Sequence, residues 1–249
     1  MLGGRSHTDM EIPLIIGKSK AIMQLVYFIN KAAASDLNVL IMGETGVGKE
    51  LAAMSIHHNS KRRYGPFIKI NCSSLNENLF ESELFGHRRG AFTGASTDKP
   101  GLIETANGGT FFVDEIGDIG AGLQAKLLDV IEDKRIRRVG ENATREVDVR
   151  FIFATNKDIS HLIDKGGFRL DLFFRISTLM AYITPLRERR EDIMPLVDEL
   201  LNRINRSHGA RKTISKEALD ALIGHNFSGN VRELESIVQR AYLFSETDE

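Results

Sequence analysis

Short, nearly continuous apolar runs alternate with segments of helical spacing through the first three-quarters of this chain. "NVLIMG" (38–43), "PFIKIN" (66–71), "GTFFVDE" (109–115) and "DVRFIFATN" (148–156) predict buried strands, and "STLMAYI" (177–183) a fifth with a weaker pattern. A strand without a polar face must be covered on both sides, as in a parallel sheet whose crossovers are helices. "LAAMSIHH" (51–58) fits such a crossover. In "LQAKLLDVIEDK" (123–134) Leu123, Leu127, Leu128 and Ile131 recur at helical spacing. "KRIRRVGENATREVDV" (134–149) predicts a hairpin with Gly140-Glu141-Asn142 near its turn.

The pattern changes near Pro185. "REDIMPLVDELLNRINRSHG" (190–209) is amphipathic and stops at a glycine, and "SKEALDALIGH" (215–225) opens on Ser215, a good cap. Asn230 is expected to cap a last helix, with Glu233 as the return partner of a capping box. The expected class is α/β. A nucleotide-binding sheet domain over 14–185 precedes an all-helical lid of three helices over 186–249, and residues 1–13, polar and glycine-rich, form a leader or linker.

Charge adds little to this picture. Lys and Arg number 33 against 34 Asp and Glu, a net charge of -1, so nucleic-acid binding by bulk charge is not indicated. The basic clusters at 61–63, 134–138 and 187–190 read as solvated faces. A single cysteine, Cys72, excludes an internal disulfide and fits a reducing, cytoplasmic setting. No run approaches the length of a membrane span, and no signal peptide is visible.

The chemistry concentrates in two places. After the first strand comes Gly43-Glu44-Thr45-Gly46-Val47-Gly48-Lys49, with a helical segment following. Glycines permit the tight turn, backbone N–H groups point inward at phosphates, and the helix N-terminus adds positive potential. Lys49 is expected to reach the β- and γ-phosphates of ATP. Glu50 stands where such loops carry a Ser or Thr for Mg²⁺, and sequence leaves open whether it acts on the metal directly or through water. In "TFFVDE", Asp114 ends an apolar strand, where a Mg²⁺ ligand is expected, and Glu115 follows as the residue that polarises the attacking water.

A third stretch, "ELFGHRRGAFTGAST" (83–97), sets Phe92 and Thr93 between Gly90-Ala91 and Gly94-Ala95 with no charge inside the six. Glycine pairs argue for a loop or hinge. Composition alone favours a loop tucked against the body, with Phe92 filling a gap.

The ordered set "GETGVGKE", "ESELFGHRRGAFTGA", "ANGGTFFVDEIGD", "QAKLLDVIED", "VDVRFIFATNKD", "FRLDLFFRI", "PLRERREDI" and "GNVRELE" resembles the AAA+ ATPases, and in detail the central domain of sigma-54-dependent transcription activators, over about 14–244. The resemblance implies ATP hydrolysis with Mg²⁺ in a ring, a hexamer in that family, that remodels the sigma-54 RNA polymerase holoenzyme and promotes open-complex formation. In such proteins the "GAFTGA" loop touches sigma-54, which would make Phe92 and Thr93 partner contacts. Glu after the loop lysine is usual there, so Glu50 is no departure. By position, Asn71 resembles the residue that holds the catalytic glutamate inactive until the partner engages, Thr155-Asn156 resemble sensor I, and Arg232 resembles sensor II of the lid. Arg169 and Arg175 match the arginine fingers that reach a neighbouring subunit's ATP. Local alternatives are a strand-end cap at Asn71, an Asp171–Arg175 ion pair at i,i+4 and an Arg232–Glu235 pair.

The family often has Trp-Pro before "GNVREL". Here Phe227-Ser228 stands there, which frees the turn into the last helix. Nothing resembling a receiver domain precedes residue 14 and no helix-turn-helix follows residue 244, so DNA contact is expected through a domain absent from this chain. Two rivals are an unfoldase or helicase, which has no reason for "GAFTGA", and a regulator that binds nucleotide without hydrolysing it, which predicts loss of Glu115 or the arginines.

Overall fold

The computed structural model describes residues 15–73 and 77–245. The leader or linker at 1–13 lies outside the described residues. Helix α1 (Lys20–Ala33), not anticipated from the pattern, is capped by Ser19, whose Oγ accepts from Ile22 N at 3.2 Å. Strand β1 (Val39–Met42) runs through the phosphate loop into α2 (Lys49–His58), and β2 (Phe67–Asn71) leads towards α3 (Glu77–Phe85). A small hairpin of β3 (Gly86–His87) and β4 (Lys99–Pro100) carries the "GAFTGA" segment between its arms. Helix α4 (Leu102–Thr105), β5 (Thr110–Asp114) and α5 (Ala121–Asp133) follow. A second hairpin pairs β6 (Arg135–Arg137) with β7 (Thr144–Glu146), its turn at 138–143 as the sequence predicts. Then come β8 (Arg150–Thr155), α6 (Ile159–Asp164), α7 (Leu170–Ile176) and β9 (Leu179–Tyr182).

The main sheet is five-stranded and parallel, in the order β2-β5-β8-β1-β9. Strand side chains alternate between faces, so continuous apolar runs fill two cores at once. Leu40, Phe111, Val113, Phe151 and Phe153 face α3, α5 and α7, while Val39, Ile41, Phe112, Ile152 and Ala154 face α1 and α2. The reactive ends of β1, β2, β5 and β8 therefore emerge along one edge, where open α/β sheets place their ligands.

Beyond two short 3₁₀ turns, Leu186–Glu188 and Arg190–Asp192, lie α8 (Ile193–His208), α9 (Lys216–Gly224) and α10 (Asn230–Phe244). Helix α8 ends at Gly209 in the left-handed conformation, and Ser215 Oγ caps α9 by accepting from Ala218 N at 3.2 Å, as the sequence predicts. Leu186, Val197, Phe227 and Leu234 form a third core between these helices. Phe227, at the position where the resembled family often has Trp, is fully buried in it. No helix among the described residues is long and apolar enough to cross a membrane.

Candidate nucleotide site

The phosphate loop leaves β1 at Met42 and enters α2 at Lys49. Two glycines in it are required by geometry. Gly48 precedes the helix at φ 107°, and a Cβ on Gly46 would lie 2.3 Å from Gly229 O, so only glycine lets the lid approach this closely. Lys49 is 6% exposed. Its Nζ donates to Gly43 O at 2.9 Å and Glu44 O at 3.3 Å, and lies 3.5 Å from Glu115 Oε1. A buried ammonium needs such partners, and these are groups that phosphate oxygens can replace.

Strand register sets Asn71 beside Asp114, and Asn71 Nδ2 donates to Asp114 Oδ2 at 3.4 Å. Burial first, then the Glu115 carboxylate, pushes the Asp114 acid above the ordinary carboxylate range, with Lys49 pulling the other way. Glu115 adopts φ 54°, ψ 47°, a left-handed conformation that costs a non-glycine residue energy and persists where neighbours enforce it. Its backbone N donates to Asp114 Oδ1 at 3.0 Å, and its Oε2 accepts from Asn156 N at 3.0 Å. Asn156 Nδ2 donates to Thr45 Oγ1 at 3.1 Å. Thr45, Asn156, Glu115 and Lys49 thus form a chain of contacts joining three strand ends.

These residues border a cleft of about 600 Å³, whose walls also include Glu50, Asp118, Lys157, Val231 and Arg232. Glu50 pairs with Lys69, and Asp118 with Lys157. Among the described residues no group of three or more His, Cys, Asp or Glu is arranged to hold a metal. What the cleft offers a hard cation is a few carboxylate oxygens beside space for phosphates, which suits Mg²⁺, an ion commonly held by one or two carboxylates, substrate phosphates and water.

The lid side departs from the sequence reading. Asn230 does not cap α10: Gly229 occupies that position without a side-chain bond, and Asn230, fully buried at φ 54°, turns its amide to distant backbone. Its Oδ1 accepts from Leu186 N at 2.8 Å, and its Nδ2 donates to Glu44 Oε2 at 3.0 Å and Thr45 O at 3.1 Å. Glu233 does take the return role, accepting from Gly229 N at 2.7 Å. Glu44, expected as a nucleotide contact, has its side chain gripped by Arg187 through bonds of 2.6 and 2.7 Å and is absent from the cleft walls. Arg232 faces the cleft and makes no ion pair among the described residues; Glu235, the partner in the local alternative, pairs with Arg203.

Sequence reasoning missed a second cavity. It measures about 370 Å³, meets the cleft at Gly48, Val231 and Glu235, and is walled by Ile15, Ile16, Val47, Leu51 and Leu196. An apolar slot beside a phosphate cleft suits a flat heteroaromatic base. Its walls come from the chain start, the phosphate loop, α2 and the lid, so no local motif announces it.

Four other predicted residues stand away from the cleft walls. Arg169 pairs with Asp171 at 2.6 Å and Arg175 with Glu132 at 2.6 Å, so the alternative Asp171–Arg175 pair does not form; both guanidinium groups are exposed. Phe92 is 43% exposed rather than sunk in the body, and Thr93 is exposed beside it. The Phe92 ring meets His87 edge-on at 5.0 Å, and His87 Nδ1 is fixed by Ser82 Oγ at 2.8 Å. Gly90 and Gly94 have φ 82° and 109°, as a loop bent at both ends requires.

Comparison with known proteins fits this geometry. The Sigma-54 interaction domain family model matches residues 15–181, and the AAA+ ATPase lid domain model matches 187–249. A Nif-specific regulatory protein of Rhodobacter capsulatus is 45% identical over 232 residues, covering 93% of this chain and 40% of that protein. The crystal structure of Brucella abortus NtrX in complex with ATP superposes with a TM-score of 0.88 at 34% identity, over 95% of this chain and 52% of that one. Hsp104 in its closed state shares the fold alone, with a TM-score of 0.63 at 21% identity, over 90% of this chain and 43% of that one. The chain spans 40–45% of the length of the Nif-type relatives it matches.

Proposed function

We propose a function from one premise: the chain belongs to the Sigma-54 interaction domain family, a family of AAA+ ATPases. On that premise the cleft binds ATP, with the phosphates against the phosphate loop and the base in the apolar slot. Lys49 gives up its carbonyl partners for the β- and γ-phosphates, and the backbone of 43–48 cradles them. Glu115 accepts a proton from the attacking water, and Asn156 holds that carboxylate in place. Asp114 and Glu50 are the residues to hold Mg²⁺, whose chemistry is to neutralise charge on the phosphate oxygens. Arg232 reaches the nucleotide from the lid.

Hydrolysis is assigned to a ring, in this reading a hexamer. What supports it is the position of Arg169 and Arg175: both are exposed and neither borders the cleft of its own chain. Arginine is the residue suited to charge spread over a transferring phosphoryl group. Phe92 and Thr93 are the contacts to sigma-54, and nucleotide-driven movement of their loop remodels the polymerase and promotes open complexes. Residues 14–185 then serve as the nucleotide-binding subdomain and 186–249 as the lid.

The observation that carries the proposal is the convergence of Lys49, Asp114, Glu115, Asn156 and Arg232 on one cleft. ATP turnover measured against protein concentration tests it. Specific activity is expected to rise as rings assemble; full activity in a dilute monomer, or none at any concentration, refutes it.

A further inference from the structure

Glu44 sits inside the phosphate loop, yet its carboxylate turns to the lid. Arg187, on the first 3₁₀ turn after the sheet domain, forks onto both of its oxygens, and Asn230 Nδ2 adds a third bond. Planar two-point pairing of this kind fixes orientation as well as distance. Asn230 is fully buried, left-handed and bonded at both ends of its amide, so it has no freedom to follow a lid that moves elsewhere. The next two residues continue the same strip. Val231 N and Arg232 N donate to Gly46 O at 3.0 and 3.4 Å, and the Arg232 side chain then enters the cleft.

We propose that Glu44 is a positioning residue: through Arg187 and Asn230 it sets the angle at which the lid meets the phosphate loop, and so where Arg232 and Val231 stand against the nucleotide. The inference rests on the ATP reading above. It makes the phosphate loop two-faced, with its backbone and Lys49 serving phosphate while Glu44 serves the lid. Arg187 and Asn230 hold the carboxyl at about 2, far below its ordinary value of 4.5, so the clamp is charged at neutral pH; its stabilising contribution is full above 4.5 and is lost progressively as pH falls towards 2. A second node lies beside it. Asp192, fully buried, accepts from Lys18 N at 2.6 Å and from Ser19 N at 2.8 Å, and Arg189 donates to Val47 O at 3.4 Å. Residues 186–192 thereby tie the chain start, the phosphate loop and the lid together around the base slot.

The test uses Arg187→Ala, since Arg187 lies outside both cavities and is one-third exposed. A bond to a charged group, discounted for that exposure, predicts about a five- to tenfold rise in KM for ATP and in Kd for fluorescent ADP, with a smaller change in kcat. Arg187→Lys, which keeps charge without the fork, is expected to fall between, and Glu44→Gln to follow Arg187→Ala. The double variant is expected to be no worse than the more severe single one, because the two residues share one interaction. Unchanged KM and Kd in Arg187→Ala overturn the clamp while leaving the ATP reading intact. So does a loss of kcat accompanied by a melting temperature many degrees lower, with Arg187→Lys failing to recover affinity. ADP binding needs no ring, so absence of any binding by the unaltered protein removes the ATP reading itself.

Discussion

The nucleotide cleft and the loop over 88–98 are both built from glycine-rich backbone, and they are held in opposite ways. The cleft is wired from far away. Bonds from Asn156 to Glu115, from Arg187 and Asn230 to Glu44, and from Val231 to Gly46 cross long stretches of chain. Most bonds of the loop are its own: Ala91 N to Arg88 O, Gly90 N to Ala95 O, Ala95 N to Phe92 O, and Arg89 N to Asp98 Oδ1. Its outside support is at the base, where Arg88 N donates to Val139 O and Phe92 leans on His87. A segment bonded to itself can move as a unit without breaking its internal bonds, whereas a segment bonded to four elements cannot move without them. Chemistry needs the second kind of construction and an effector arm the first.

Four experiments press on that contrast. The largest effect is expected from Arg169→Ala and Arg175→Ala, each lowering turnover by about 10³-fold or more while ATP still binds, since trans arginines act on the transition state. Normal turnover in either variant would return that arginine to its exposed ion pair. Glu115→Gln keeps size and polarity but removes the proposed base, and is expected to cost about 10²-fold or more in turnover with nucleotide binding retained, whereas Lys49→Ala is expected to weaken binding itself. If the glutamine variant hydrolyses at the original rate, another residue is the base.

For the loop, Phe92→Ala and Thr93→Ala are expected to leave ATP turnover and ring assembly near those of the unaltered protein. Both are expected to weaken sigma-54 binding strongly in the presence of a transition-state mimic. Losing an aromatic anchor costs about 2 kcal/mol or more, which is roughly 30-fold in affinity. A lowered melting temperature and ATPase in Phe92→Ala would show that the ring serves the body after all.

The smallest effect is assigned to Gly140→Ala. Gly140 has φ 77°, and a Cβ there would sit 2.8 Å from Ala91 Cβ, so the second hairpin's turn presses on the loop's base. Left-handed backbone in alanine costs roughly 1–2 kcal/mol, a few degrees of melting temperature. The expected signature is altered sigma-54 affinity with cleft activity preserved; equal loss of both would make loop and cleft one mechanical unit.

Much of this was legible in the chain. Apolar runs of strand length were enough for the parallel sheet, because a strand buried on both faces leaves no polar positions to confuse the period. Gly43 to Lys49, Asp114-Glu115 and the "GAFTGA" segment announce themselves because each is a contiguous stretch whose backbone chemistry is local. The misreadings have a common cause. Asn230 followed by Glu233 is a capping box by spacing, but its amide was claimed by Leu186, Glu44 and Thr45. The local alternative of an Asp171–Arg175 pair, one helical turn apart, fails for the same reason: Arg169 and Glu132 took them as partners.

Composition and spacing thus settled the strands of the main sheet, the second hairpin and the lid helices, though not α1, since hydrogen bonding and side-chain period act over a few residues. The choice of partner for each polar side chain, and the apolar slot walled by Ile15, Val47 and Leu196, depended on chain crossings that bring together residues far apart in sequence. A polar or charged side chain takes the partner that packing places within reach, and packing is not written in any single window of the sequence.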